Sequence, residues 1–245
     1  MANLEDLRTL GPSAVLRKLH EQCSAVVESS LSAGNELNLG KSYVFASDLE
    51  GWREAMSDPP NENLLETATA EYLIAILNIC QGQYRNGFKG LRLVLELCIQ
   101  SIHLSANLML RQEWIKGEQD TIWASLVDED NGPLSKRFCN AFFPELGEHA
   151  AHFRSLARTL YRELSECIHG NVPNHIPLPT SLAFSQETFD LWHAKAKLVR
   201  RVVIFSFALR YLRIMPMEKR PLVEAALIEE LGHIDAIRME FEAGA

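Results

Sequence analysis

Arg162 and His169 stand seven residues apart in the run Tyr161-Arg162-Glu163-Leu164-Ser165-Glu166-Cys167-Ile168-His169-Gly170-Asn171. At about 3.6 residues per turn, that spacing is almost two turns, so it predicts a guanidinium and an imidazole on one side of a helix with Glu166 between them. Gly170 suits the left-handed position that ends such a helix. An arginine that holds a phosphate beside a histidine that moves a proton is a minimal kit for phosphodiester cleavage. The same residues also make an ordinary helix surface, with Arg162 and Glu166 as an i,i+4 pair and His169 near the negative helix end.

The element that must carry the pair is a helix over 145–169. Leu146, Phe153, Leu156, Ala157, Leu160, Tyr161, Leu164, Cys167 and Ile168 form its apolar stripe, and Ser155, Thr159, Arg162, Glu166 and His169 form the opposite one. Upstream, Pro12-Ser13 opens a helix that fades near Ala33-Gly34-Asn35. Residues 34–62 look irregular, with Ser47-Asp48-Leu49-Glu50 as a cap before one or two turns containing Trp52 and Met56 and Pro59-Pro60 stopping any helix. A helix from Leu64 to Gln81, a break at Gly82 and a long helix from Tyr84 to about Lys116 predict an antiparallel hairpin. Asp120 is placed to cap a short helix holding Ile122, Trp123 and Leu126; 128–133 reads as a turn, and Leu134 to Phe143 as another short helix. The three prolines Pro173, Pro177 and Pro179 make 170–179 a loop, Ser185 caps a helix to about Arg213, and Pro221 opens a last one to about Phe241. With no strand series, the expected architecture is all-α: a bundle of long antiparallel helices over 63–245, with an N-terminal helical extension over 1–62 packed on it in one domain.

Composition narrows the partners. The chain has 245 residues, 47% of them hydrophobic, and a formal charge of −8, which is enough apolar content for a sizeable core but lacks the basic footprint of a protein that grips long duplexes. A short, locally recognised RNA loop or a protein partner fits better. No apolar run approaches the roughly 18 to 20 residues that span a bilayer, and the N-terminal residues carry no secretory pattern, so a cytoplasmic protein is expected. Cys23, Cys80, Cys98, Cys139 and Cys167 are odd in number and widely spaced, which fits buried thiols rather than a disulfide framework.

Three further groups invite chemistry. Arg92, Glu96, Gln100 and His103 recur along one helix as a polar stripe that is either an exposed face or a support that orients the 145–169 helix. Lys195, Lys197, Arg200, Arg201, Arg210 and Arg213 make the 185–213 helix the most basic part of the chain, and Arg200 and Arg201 are its candidate RNA contacts. His149 and His152 lack the i,i+4 spacing of a helical zinc site, so no metal or other cofactor is expected.

Tyr161-Arg162 through His169-Gly170-Asn171, an arginine followed by six residues and a histidine near a helix end, resembles the motif of the HEPN superfamily. The similarity covers roughly residues 64–213. It implies an all-helical homodimer that cuts RNA without metal, as the effector of a bacterial toxin–antitoxin or phage-defence system, and it leaves room for a companion ATPase or nucleotidyltransferase. By position, Arg162 would bind or polarise the scissile phosphate and His169 would act as general acid or base; Glu166 would repel a phosphate unless it pairs with Arg162 or orients His169, and the Arg92, Glu96 and His103 stripe is, from its spacing alone, their candidate support. Glu163, directly after the arginine, and Glu166 depart from the pattern of active members. The alternative they support is a non-catalytic helical interaction subunit of a multiprotein defence complex.

Overall fold

The computed structural model describes residues 9–56, 59–169, 178–179 and 181–242, with the side chains of 59–62, Ile168 and His169 outside the description. Among these residues there are eleven α-helices and no strand, so the chain is an all-α bundle. They are α1 (Pro12–Ser30), α2 (Glu36–Met56), α3 (Pro59–Cys80), α4 (Tyr84–Ala106), α5 (Leu108–Ile115), α6 (Trp123–Leu126), α7 (Lys136–Phe142), α8 (Gly147–His169), α9 (Gln186–Tyr211), α10 (Pro221–Leu231) and α11 (Asp235–Glu242).

The 34–62 region corrects the sequence expectation, because α2 is one continuous helix. Its inward positions, Ser42, Phe45, Ala46, Leu49, Trp52 and Ala55, keep helical spacing but mix small and polar residues with large ones, which blurs the amphipathic signal. Asp48, read as part of a cap, is instead mid-helix and bonded to Arg200. Gly51 lets α2 and α10 touch: a Cβ there would lie 2.6 Å from the Leu222 carbonyl oxygen. Pro59 and Pro60 open α3 rather than stopping a helix, since proline's missing N–H costs nothing in a first turn. A boundary at residue 62 would therefore cut α3, and Trp52 of α2 is fully buried in the same core as α9.

The α3–α4 hairpin is antiparallel. Gly82 takes φ +73° at the turn, a conformation that glycine adopts without penalty, and Gly87 and Gly90 then pass against Ile79 and Ala75. The long helix expected from Tyr84 to Lys116 breaks at Asn107, whose side-chain amide donates to the His103 carbonyl at 2.8 Å. Burial explains the break: Cys98 to Ser105 are buried on every side, whereas no residue of α5 is. Asp120 caps nothing on α6, whose N-cap is Ile122. Ser135 and Ser185 do cap α7 and α9, accepting from Phe138 N and Thr188 N. The last helix is two, α10 and α11, parted at Gly232 to Ile234.

At the centre, α9 is buried continuously from Val202 to Leu209. Phe205 stacks on Phe153 of α8 with centroids 3.7 Å apart, and Phe207 meets Trp52 of α2. This packing fixes which face of α8 turns outward. All five cysteines are buried and unpaired. Among the described residues, no helix is long and apolar enough to cross a membrane.

Candidate functional site

Most of the stripe expected to face the core does so: Leu146, Phe153, Ala157, Leu160, Leu164 and Cys167 are buried, whereas Leu156 is partly buried, Tyr161 turns its ring to the cleft and the side chain of Ile168 lies outside the described residues. The opposite side of α8 forms one wall of an open cleft of about 790 Å³, closed by α4 and the segment around α6. Four guanidinium groups line it, those of Arg92, Arg154, Arg158 and Arg162. The last three repeat every four residues along α8, so their Cα atoms climb in steps of about 6 Å. The positive charge therefore forms a ladder along the cleft instead of a single point.

Each rung is held differently. Arg154 pairs with Glu129 at 2.8 Å and is mostly buried. Arg92 pairs with Glu96 at 3.6 Å and donates to the Tyr161 hydroxyl, with its guanidinium carbon 4.3 Å from that ring's centroid. Arg158 and Arg162 are exposed and, among the described residues, have no ion-pair partner. The expected Arg162–Glu166 pair is thus not formed. The carboxylate that finds a cation is Glu163, paired with Lys195 at 2.5 Å.

Trp123 and Tyr161 supply an aromatic wall. Their rings stack 4.0 Å apart at 5°, and both side chains line the cleft. At the far end of α8, Arg85 donates to the Cys167 carbonyl, placing a cation where the helix dipole is negative. His169 closes this helix. Its register puts it about 20° round from Arg162 and roughly 10 Å further along the axis, on the same flank.

The remaining candidates separate. Arg92 and Glu96 do reach the motif helix, through Tyr161, whose hydroxyl lies 3.5 Å from Glu96 Oε1. His103 does not share that place: it is 8% exposed near the α4 terminus, and burial lowers its pKa. Arg200 requires a correction. It is 6% exposed, and Asp48 at 2.6 Å, Glu230 at 2.9 Å and Glu229 at 2.8 Å take its donors. Burial works against its charge, but the bonds to Glu229 and Asp48 outweigh it, so Arg200 is a structural cation and not a phosphate contact. Burial also pushes the Asp48 carboxyl up, and Arg200 offsets this only in part. Arg201 bonds Glu230 at 3.0 Å, away from the cleft. His149 lies 3.5 Å from Glu148, His152 packs edge-on to Phe153, and no cluster of three or more possible metal ligands occurs among the described residues.

Sequence reasoning missed Arg154, Arg158 and the Trp123–Tyr161 stack. The four-residue arginine repeat was legible; the stack was not, because it joins segments nearly forty residues apart in the sequence. Set against protein-family models, curated proteins and solved structures, the chain matches none.

Proposed function

We propose that the chain is a metal-independent endoribonuclease, similar in kind to HEPN enzymes, that acts as a cytoplasmic homodimer in a bacterial toxin or phage-defence setting. The observation that carries this reading is the cleft, where a ladder of arginines runs beside a stacked aromatic pair. Phosphates of a single strand suit such a ladder, and unpaired bases stack on aromatic rings whatever their sequence. The formal charge of −8 agrees with a short, local contact rather than a long duplex grip.

Arg162, exposed and unpaired among the described residues, is assigned the scissile phosphate. The ribose 2′-hydroxyl attacks phosphorus, the bond to the 5′-oxygen breaks, and a cyclic phosphate and a free 5′-hydroxyl result. His169 is assigned the proton transfers. Because roughly 10 Å of helix separates the two positions, the arginine of one copy and the histidine of a second are proposed to share a phosphate. Incubation of the purified protein with total RNA and a chelator is expected to give discrete cuts with cyclic phosphate ends, lost in His169→Ala. Intact RNA with the unaltered protein would end the enzymatic reading.

A non-catalytic interaction subunit is the second reading, favoured by an exposed apolar stripe on α3. Leu73, Ile74 and Leu77 are 41%, 49% and 51% exposed. On that reading, polar substitutions in this stripe break a stable complex, and Arg162→Ala leaves biological activity intact.

A further inference from the structure

A second cavity, of about 340 Å³, lies between α2, α3, α9 and α10, on residues that RNA cleavage does not use. That volume falls at the lower end of the range for small-molecule sites. At one end, the Ser42 hydroxyl lies 2.6 Å from His193 Nδ1. Ser24, Ser30 and Ser206 each donate to the carbonyl four residues back, as helical serines often do. Ser42 makes no such bond among the described residues, so its proton is assigned to His193 Nδ1, which selects the tautomer that puts the ring proton on Nε2. His193 is 7% exposed, lines the cavity, and has no partner at Nε2. A buried N–H left unpaired is costly, so this one is a donor awaiting an acceptor.

The other end holds a carboxylate that is able to leave. Arg200 Nη2 bonds Glu229 Oε2 at 2.8 Å, yet the Glu229 side chain is 62% exposed while that of Arg200 is 7% exposed. Lys41 and Lys197, both exposed, line the same end and act electrostatically on Glu229. Three cations thus converge on one surface carboxylate, with Phe45 and Tyr72 forming an apolar floor between it and His193. Arg200 keeps Asp48 and Glu230 when Glu229 swings out, so the exchange does not strip the buried guanidinium of its partners.

We infer that this cavity binds a small organic anion with a ring-sized apolar body: its anionic head displaces the Glu229 carboxylate from Arg200, Lys41 and Lys197, and an oxygen at its other end accepts the His193 Nε2 proton. The head can be a carboxylate or a phosphate monoester, since both accept from the same donors. Glu229 acts as an internal competitor that holds the site closed in the ligand's absence.

Histidine-resolved ¹H–¹⁵N spectra of the full chain test this, with 4-acetylbenzoate and 4-acetylphenyl phosphate as probes and 4-acetylbenzyl alcohol as the uncharged control. Both anions, or one of them, are expected to shift the His193 Nε2 resonance saturably, and whichever binds identifies the head group. Glu229→Gln, at an exposed position that tolerates change, should tighten binding by about threefold to fivefold, the limit set by what an exposed ion pair contributes. Lys41→Gln combined with Lys197→Gln should weaken it. No saturable His193 response to either anion in the unaltered chain and in Glu229→Gln would overturn the inference, as would equal affinity for the uncharged alcohol. Neither result bears on RNA cleavage, which uses other residues.

Discussion

Neutralising one rung of the arginine ladder has a consequence that can be worked out in advance. Each phosphate neutralised on a single strand contributes about 0.7 to the slope of log K against log salt. Arg158 and Arg162, exposed and unpaired among the described residues, alone give a slope of about −1.4; counting Arg154 and Arg92, which share their charge with Glu129 and Glu96, extends this to at most about −2.8. Arg158→Gln should therefore reduce the slope's magnitude by about 0.7, which at 0.1 M salt is a factor of about five in affinity. Fluorescence anisotropy of a labelled 12-nucleotide oligouridine, titrated across a range of potassium chloride concentrations, reads both quantities. Arg162→Gln should behave alike, and a cleavage-blocked 2′-deoxy strand keeps the measurement at equilibrium. Arg201→Gln is the control, because its guanidinium is bonded to Glu230 outside the cleft. If Arg158→Gln and Arg162→Gln leave the slope unchanged, or Arg201→Gln lowers it equally, the ladder does not touch phosphate.

Three other expectations concern the scaffold. Arg200→Ala leaves the nearly buried Asp48 carboxylate without its cation and the buried Glu230 with Arg201 as its one remaining partner among the described residues, and should cost about 3 to 5 kcal/mol in chemical denaturation, since breaking a buried pair strands a charge. Gly51→Ala sets a methyl against the Leu222 carbonyl and should lower stability by about 1 to 3 kcal/mol, visible as a lower denaturation midpoint at unchanged slope. Burial holds His193 at about 4 against 6.5 for a free histidine, with Asp190 opposing the shift. Between those values the unfolded chain binds the proton and the folded chain does not, so stability is full above pH 6.5 and falls by on the order of 3 kcal/mol as pH drops to 4. His193→Gln should flatten that acid limb in pH-dependent unfolding, and an unaltered limb would contradict the assignment.

The all-α class and the inward stripe of α8 could be read from periodicity because the large apolar residues Phe153, Leu160 and Leu164 recur at helical spacing. Helix α2 could not: its buried face uses Ser42, Ala46 and Ala55, residues that carry little hydrophobic signal yet permit close packing against neighbours. Asn107 stopped a helix that looked continuous because its side chain serves the His103 carbonyl, a choice set by where burial ends. The candidate site was legible at Arg162 and invisible at Trp123, whose partner Tyr161 is supplied by the fold. Arg200 misled for a related reason. A guanidinium in a basic stretch suggests phosphate, but Asp48, Glu229 and Glu230 reach it from two other helices.

The most direct test of RNA engagement is photo-cross-linking of a single-stranded RNA carrying 5-iodouridine, with the adducts located by mass spectrometry. Adducts on Trp123 or Tyr161, reduced in Arg158→Gln and Arg162→Gln and weaker with a duplex of the same sequence, are the expected result. Adducts confined to other parts of the molecule, or equal yields from duplex and single strand, would contradict the cleft as the place where RNA is held.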